Sequence, residues 1–374
     1  MSSTLRLATL ADEPALRRIL RENPMPGAIS LTFEREPDYF AAAGVDGSFS
    51  QSILNQETDT GEILGMGARI IRPMYLNGGI QDIGYMSHLR VDLNYSFGMS
   101  LARQLARSFT KFHELHADNR VPFYLMSVIA DNTPARRLLT SGLPGMPHAR
   151  EYARLFTYAI SPRRPLPETR MPQGMQFERG RPELIPEIIA CLQRNGEQKQ
   201  FFPFWSAENL FNPTQTPNLH PQDFFLVVQS GHVLGCLALW DQTPFKQTVV
   251  RGYGGNMVRW RPIINLLSRF VDIPYLPAVG DPISYCYASH LAIDNDDARI
   301  FSTLLRAVYN ETARRGFNYF MIGLSESHPL RPVLIKNYLH ITYPSQIYLM
   351  AWDDGLNALD KVDGRIPAPE IAVL

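Results

Sequence analysis

The chain has 374 residues, 45% apolar and 19% charged, a composition typical of globular proteins that excludes a disordered chain. Lys plus Arg and Asp plus Glu number 36 each, so the net charge gives no support for a nucleic acid or an anionic membrane as partner. At this length we expect two domains of ordinary size, each able to bury its own core.

The first half is predicted to mix short helices with longer strands. In chain order we expect a strand at 5–8, a helix capped by Asp12, a loop over 21–29 and a short helix over 33–43. Strands over 49–55 and 63–75 follow, then a hairpin at Asn77-Gly78-Gly79 and a strand ending at Val91. The half ends with a helix over 100–116, a strand over 122–129, a short helix over 132–140 and a strand over 152–160.

Residues 161–172 contain four prolines, which no helix or central strand tolerates, so we place a domain linker there, between halves 1–160 and 173–374. The second half is expected to repeat the first, with strands over 175–178, 223–229, 233–240, 284–293, 319–324 and 346–352, helices over 183–194 and 298–315, an insertion at about 253–283 with a helix over 261–270, and a tail from 353 with little pattern. The aromatic run 201–205 is interpreted either as a wall over a ligand site or as packing between the halves.

One stretch recurs in both halves. Tyr287-Ala-Ser-His-Leu-Ala-Ile-Asp repeats Tyr85-Met-Ser-His-Leu-Arg-Val-Asp at an offset of 202. Downstream, Tyr319-Phe-Met and Pro329-Leu-Arg match Tyr124-Leu-Met and Pro134-Ala-Arg at an offset of 195. Two collinear matches indicate an internal duplication.

The first copy of the repeat leads into a possible phosphate site. The buried strand ends near Val91, a turn with Gly98 follows, and Ser100 opens an apolar-periodic helix. Because the first-turn N–H groups of a helix lack internal partners, this layout can hold a phosphate, although an ordinary strand-to-helix turn has the same signature.

The order β-α-α-β-β-β-α-β-α-β in each half, with the glycine turn after the fourth strand, resembles the GNAT acetyltransferase superfamily. The resemblance implies an α/β (α+β) fold in two tandem copies, each a mixed, mostly antiparallel sheet flanked by helices. It also implies that acyl-coenzyme A, most simply acetyl-CoA, binds where the fourth and fifth strands splay apart and that the acyl group passes to an amine.

Carried over by position, the resemblance assigns the coenzyme-binding residues. The pantetheine arm would meet the backbone of Leu89, Arg90 and Val91, and the pyrophosphate would meet the N–H groups of Phe97, Gly98, Met99 and Ser100. The Asn-x-x-Ala motif after the fifth strand is present as Asn132-Thr-Pro-Ala135, and Arg136 could reach a coenzyme phosphate. Two features depart from the family: Tyr95 or Ser96 stands where Arg or Gln is expected, and Leu139 replaces the tyrosine that often protonates the leaving thiolate.

The second copy departs further, because Asn295-Asp-Asp297 replaces the glycine turn and its carboxylates would repel a pyrophosphate. We therefore interpret the second copy as degenerate for coenzyme.

The catalytic candidates are His88, an imidazole able to accept a proton near neutral pH, and Tyr85 on the same strand. Strict strand alternation would point only one of them into a cleft unless a bulge intervenes, and His88 and His290 could instead both be buried structural residues.

The sequence thus predicts an N-acyltransferase, most simply an N-acetyltransferase, acting on a small-molecule or peptide amine. It predicts no metal, nucleic acid or membrane partner and leaves the oligomeric state open. Cys191, Cys236 and Cys286 have no paired spacing, and no secretion signal or membrane span is evident, so we expect a cytoplasmic protein. The alternatives are a non-catalytic protein that binds or senses acyl-CoA and a tRNA-dependent aminoacyl transferase of the tandem GNAT-fold type.

Overall fold

A computed structural model of the chain describes residues 3–25, 27, 29–91, 101–169, 171, 173–267 and 275–374. The strands of the first half are β1 Ser3–Leu7, β2 Ile29–Glu34, β3 Phe49–Glu57, β4 Ile63–Leu76, β5 Gly79–Val91, β6 Tyr124–Ile129 and β7 His148–Ile160. Its helices are α1 Glu13–Glu22, α2 Ala43–Asp46, α3 Leu101–Leu115 and α4 Thr133–Leu139.

The second half follows the same plan with additions. Its strands are β8 Gln176–Arg179, β9 Lys199–Gln200, β10 Phe224–Gln229, β11 His232–Trp240, β12 Gln247–Tyr253, β13 Tyr285–Ile293, β14 Tyr319–Ser325, β15 His340–Ala351 and β16 Ile366–Pro367. Its helices are α5 Ile185–Gly196, α6 Met257–Leu267, α7 Ala298–Arg315, α8 Arg331–Asn337 and α9 Leu356–Asp360.

Twelve of these strands form one sheet in the order β1-β3-β4-β5-β6-β15-β7-β14-β13-β11-β10-β8. Neighbours are antiparallel except for β5 with β6 and β13 with β14. The predicted α/β class, with a mixed and mostly antiparallel sheet flanked by helices, is confirmed. From one edge inward the first half contributes β1-β3-β4-β5-β6, and from the other edge the second half contributes β8-β10-β11-β13-β14 at the corresponding positions. The last strand of each half is exchanged, because β15 lies next to β6 and β7 lies next to β14. The domain boundaries at 160 and 173 stay a prediction.

Helices cover both faces of this sheet. On the front face, α1 buries Leu16, Ile19 and Leu20 against β3 and β4, a spacing that places all three on one side of a helix. On the back face, α3 buries Phe109 and Phe112. In the second half, α5 lies on the front and α7 on the back.

The observed elements differ from the predicted ones in three places. Residues 33–43 are not one helix, because Phe33 and Glu34 pair with β12, Pro37 follows, and only 39–46 is helical. The strand β12 was not predicted, and the insertion helix begins at Met257 and its described part ends at Leu267. The tail is ordered, since β16 pairs with β9 and Ala372 and Val373 are buried.

The aromatic run packs the two halves together. Phe201 and Trp205 are fully buried. The backbone N–H of Phe201 donates to the carbonyl of Tyr75 (2.8 Å), and the N–H of Tyr75 donates to the carbonyl of Phe202 (2.9 Å). Of the two interpretations of this run, the contacts favour packing between the halves.

Cys191, Cys236 and Cys286 are buried and free, as their isolated spacing predicts. None of the helices in the described ranges is long and apolar enough to cross a membrane.

Candidate functional site

The parallel strands β5 and β6 separate soon after they meet. Their pairing is limited to Gly84 with Tyr124 and Tyr85 with Leu125. Beyond these pairs, residues 87–91 of β5 pair with no described residue on the β6 side, so their peptide groups are available to a ligand between the strands. The strands β13 and β14 separate in the same way after Tyr287 and Met321.

Each separating strand carries a bulge at its histidine. The pairs Met66 with Arg90 and Ala68 with Ser87 leave His88 and Leu89 together opposite one residue of β4. His88 has a φ of 52°, and His290 has a φ of 57° in the corresponding bulge of β13. A positive φ is uncommon outside glycine. Because it recurs at equivalent residues, the bulge is a specific feature of the fold and not a local irregularity.

The bulge brings both catalytic candidates to the front face. Tyr85 packs in the same apolar cluster as Ala68, and His88 contacts Tyr39 on the front, whereas Leu89 packs on the back against the cluster of α3. Strict alternation would have allowed only one of Tyr85 and His88 into the cleft.

Tyr85 lies where β5 and β6 part. The residue is 9% exposed, and the backbone of Ser127 on β6 lies near its hydroxyl group. Burial raises the pKa of Tyr85, and the dipole of the Ser127 peptide group offsets only part of this. The phenol therefore keeps its proton at neutral pH and has it available to donate.

His88 is held by two polar contacts. The Nη2 of Arg35 lies 3.0 Å from Nε2, and the hydroxyl of Tyr39 lies 3.1 Å from Nδ1. Because a guanidinium only donates, the network assigns the lone pair to Nε2 and the proton to Nδ1. Burial, and then the charge of Arg35, holds the pKa of His88 well below its usual value. The ring is neutral, and its lone pair already accepts a hydrogen bond.

Behind His88 lies a buried charge cluster that sequence reasoning missed. Asp46 contacts the guanidinium of Arg35, and its Oδ1 lies 2.9 Å from Nζ of Lys246. Burial by itself would raise the pKa of Asp46, but these two cations outweigh it and hold that pKa well below its usual range. Lys246 is 200 residues from Asp46 in the sequence, so no local sequence pattern indicates the cluster.

The predicted coenzyme residues on β5 border the same opening. Leu89 stands in the bulge, and Val91 is the last residue of the strand, paired with Gly65. Arg90 donates from Nη1 to the carbonyl of Leu89 (2.9 Å), while its Nε has no hydrogen-bond partner among the described residues. Burial lowers the pKa of Arg90. Phe97, Gly98, Met99 and Ser100 lie outside the described residues.

The two predicted coenzyme residues after β6 have structural contacts. Asn132 caps α4, and its side chain accepts from the N–H of Ala135 (3.2 Å), which accounts for the Asn-x-x-Ala spacing. Arg136 donates to the hydroxyl of Tyr348 (3.0 Å) and to the carboxylate of Glu151 (2.9 Å). Both cofactor roles stay predictions.

The corresponding cleft of the second half is filled by the chain itself. The Oε2 of Glu370 accepts from the bulge N–H of His290 at 2.8 Å, and Ile371 packs against Gly323 of β14. Ser289, His290, Ala292 and Ile293 are at most 3% exposed, whereas residues 87, 88, 90 and 91 are all half-buried. One cleft is therefore closed and the other open.

The two histidines have different surroundings. The ring of His290 lies among Trp205, Phe224 and Trp240, with ring centroids 4.4, 5.4 and 5.7 Å away. Burial lowers its pKa to about 3. His290 is a core residue, while His88 faces polar groups. Within the described ranges, no three or more His, Cys, Asp or Glu side chains are placed to hold a metal ion.

No protein-family model and no curated protein matches this sequence. Solved structures do. The chain is similar to a GCN5-related N-acetyltransferase from Sphaerobacter thermophilus, with 13% identity, 93% of this chain and 95% of that one covered, and a TM-score of 0.55. It is also similar to a probable N-acyltransferase from Enterococcus faecalis (9% identity, 96% and 75% covered, TM-score 0.52). A third is the Saccharomyces cerevisiae N-myristoyltransferase with bound myristoyl-CoA (11% identity, 93% and 82% covered, TM-score 0.58).

At these identities the likeness shows the fold. The chain has the GNAT fold, as the resemblance of its element order implied, and the likeness covers nearly its whole length. The opening between β5 and β6 and its closed counterpart between β13 and β14 are the parts of that fold to which a function can be attached.

Proposed function

We propose that the chain is an acyl-CoA-dependent N-acyltransferase whose first half binds the coenzyme between β5 and β6. The observation that carries the proposal is the contrast between the two clefts. The second holds a carboxylate oxygen on its bulge N–H, and the first has the same bulge on a half-buried strand. The similar structures are acyltransferases or probable ones, and one contains myristoyl-CoA, which supports a coenzyme of this class.

The bulge provides a donor for the acyl carbonyl. By analogy with His290, whose N–H donates to an oxygen of Glu370, the N–H of His88 would donate to the thioester oxygen. Attack by the lone pair of a neutral amine places negative charge on that oxygen, and a preorganised N–H stabilises it more in the transition state than in the substrate.

Tyr85 would complete the transfer. When the carbon–sulfur bond breaks, the thiolate takes the phenolic proton, and the proton lost by the attacking nitrogen returns to Tyr85 through water. In this scheme the imidazole of His88 has a positioning role, because its Nε2 lone pair is engaged by Arg35 and its Nδ1–H by Tyr39, which leaves the backbone N–H for the thioester oxygen. A direct role for His88 as proton acceptor is the alternative that the sequence suggests.

The acyl group and the acceptor belong to the proposal as well. We take acetyl-CoA as the simplest donor and a small-molecule or peptide amine as the acceptor, in the cytoplasm. A longer acyl chain is the variant that the similarity to a myristoyltransferase makes worth testing.

The test has two measurements on the full chain. Calorimetry with coenzyme A, acetyl-CoA and myristoyl-CoA should show binding, and thiol release with a panel of primary amines should show turnover. Binding without thiol release would indicate a non-catalytic acyl-CoA-binding protein. The absence of binding would overturn the proposal in favour of a tRNA-dependent aminoacyl transferase.

A further inference from the structure

Positive charge is in excess on the front side of the open cleft. Three cations and one carboxylate act on His88: Arg35, Lys246, Arg90 and Asp46. Asp46 is the one carboxylate within ion-pair distance of Arg35 and of Lys246 among the described residues. The single negative charge of Asp46 is thus shared by two cations. Arg90 has no carboxylate within ion-pair distance in the described part of the chain.

The next layer of charge does not remove the surplus. Arg72 donates from Nε to the carbonyl of Asp46 (3.2 Å), and Glu370 faces it from the second half. Because burial raises the pKa of Glu370 to about 7, its charge offsets that of Arg72 only in part at neutral pH. Buried charge without a partner is costly in a folded protein, so a surplus kept at a cleft is typical of a site that awaits an anion.

The coenzyme accounts for only part of this surplus. Arg90 lies on β5, seven residues before Phe97, where the predicted pyrophosphate-binding residues begin, so a phosphate of the coenzyme would be its partner. Lys246 lies on the segment that leads into β12 of the second half, and it is linked to His88 through Asp46 and Arg35. Its side chain is 14% exposed, and an ammonium group has three N–H donors, whereas Asp46 is its one ion-pair partner among the described residues.

We propose that Lys246, supported by Arg35, binds a carboxylate of the substrate beside the acyl-transfer point. This inference rests on the proposed function and names its substrate class. The carboxylate could be carried by the acceptor, as in an amino acid, or by the acyl group, as in a dicarboxylic acyl-CoA. The shared chemistry is a carboxylate a few bonds from the new amide.

The test is a binding measurement that needs no turnover. Calorimetry, with and without coenzyme A, compares matched product analogues that differ by a carboxylate. N-acetylalanine against N-ethylacetamide represents an acidic acceptor, and N-ethylsuccinamate against N-ethylbutanamide represents an acidic acyl group. In one of the two pairs the carboxylate should bind at least about tenfold more tightly, or roughly 1.4 kcal/mol. No preference in either pair would overturn the inference.

Variants assign the preference to the proposed side chain. Lys246→Met should abolish the preference and Lys246→Arg should keep it, whereas a preference that survives Lys246→Met would place the carboxylate elsewhere and sink the inference. Because Lys246→Met leaves Asp46 with one cation, the double variant Lys246→Met, Asp46→Asn serves if the single variant does not fold. A carboxylate preference without thiol release from any amine would refute the transferase but not the carboxylate site.

Discussion

Tyr85 and Tyr287 occupy equivalent places on the two bulged strands but have different partners. The hydroxyl of Tyr85 lies near the backbone of Ser127 at the open cleft, whereas the hydroxyl of Tyr287 lies 3.3 Å from that of Tyr285. Only the first has an opening beside it into which a thiolate could leave. The sequence repeat makes the two tyrosines look alike, and their surroundings distinguish them.

Tyr85→Phe removes the proposed proton donor without removing the ring. We expect thiol release to fall by about 10²-fold or more, the usual effect of losing a proton-transfer group, with coenzyme affinity unchanged. Tyr287→Phe is the matched control and should keep the wild-type rate. Equal rates for wild type and Tyr85→Phe in a thiol-release assay would remove Tyr85 from the mechanism.

The role of His88 can be decided by comparing two substitutions. A positioning role predicts that His88→Gln retains much of the turnover, because the amide oxygen can accept from Arg35, whereas His88→Ala loses it. A proton acceptor would be lost in both variants, and both losses would shrink at high pH, where the amine deprotonates unaided. Thiol release measured for both variants from pH 6 to 9 separates these outcomes.

Glu370 makes the stability of the chain depend on pH. Burial raises its pKa to about 7, and the N–H groups of Ala372 and His290 oppose this only in part. Since the folded pKa is above the unfolded one, the associated stability is complete below about pH 4 and is lost as pH rises through 7, by up to about 3 kcal/mol. In the variant Glu370→Gln this side chain cannot ionise. The unfolding free energy of the variant, measured in urea titrations, should therefore rise relative to that of the wild type as the pH is raised from 5 to 8. A constant difference across that range would contradict the prediction.

At the scale of elements, the second cleft is closed by a short tail segment and not by a change in its strands. The strands β13 and β14 separate just as β5 and β6 do, and the bulge is kept. Ile371 fits because Gly323 has no side chain, and the carbonyl of Ala372 accepts from Nε2 of Gln242 at 2.9 Å. A degenerate second copy, which the acidic turn at 295–297 suggested, thus has a second physical basis.

A side chain at Gly323 should expel that segment. A Cβ there would overlap Ile371, so Gly323→Val should lower the free energy of unfolding by roughly 1–3 kcal/mol, the usual cost of overpacking. Gly364→Val, in open space of the same tail, is the control. Thermal unfolding measures both, and coenzyme affinity should stay at the wild-type value because the first cleft is separate. Equal melting temperatures would show that the segment is not held there.

At the scale of the whole molecule, the halves are joined by an exchange of strands. The last strand of the first half, β7, pairs with β14 and β15, and β15 pairs with β6 and β7. Neither half contains all the neighbours that its own sheet needs. Without the other half, β6 would present an unpaired edge and β7 would have no partner at all.

Cutting the chain in the linker should therefore separate two fragments that fold only together. Fragments 1–166 and 167–374, expressed singly, should aggregate or lack cooperative unfolding. When they are co-expressed, they should purify as a one-to-one complex with the circular dichroism of the intact chain. A monodisperse, cooperatively unfolding fragment 1–166 would contradict this and would support independent domains.

What the sequence determined by itself is local. The period of the apolar residues, the turn at Asn77-Gly78 and the repeat of Tyr85–Asp92 at Tyr287 predict the α/β class, the element order and the strand that borders the cleft, because each signal is carried by residues close together in the chain. The same local reasoning failed at 33–43, where pairing with β12 overrode helical spacing.

The tertiary structure decided everything that depends on distant contacts. Alternation along β5 gives no preference between Tyr85 and His88, and only the bulge, formed against β4, places both on the front face. Lys246 and Asp46 are 200 residues apart in sequence but 2.9 Å apart in the fold. The exchange of β7 and β15 and the closure of the second cleft by Glu370 likewise depend on which surfaces meet, and no periodicity within one segment encodes that.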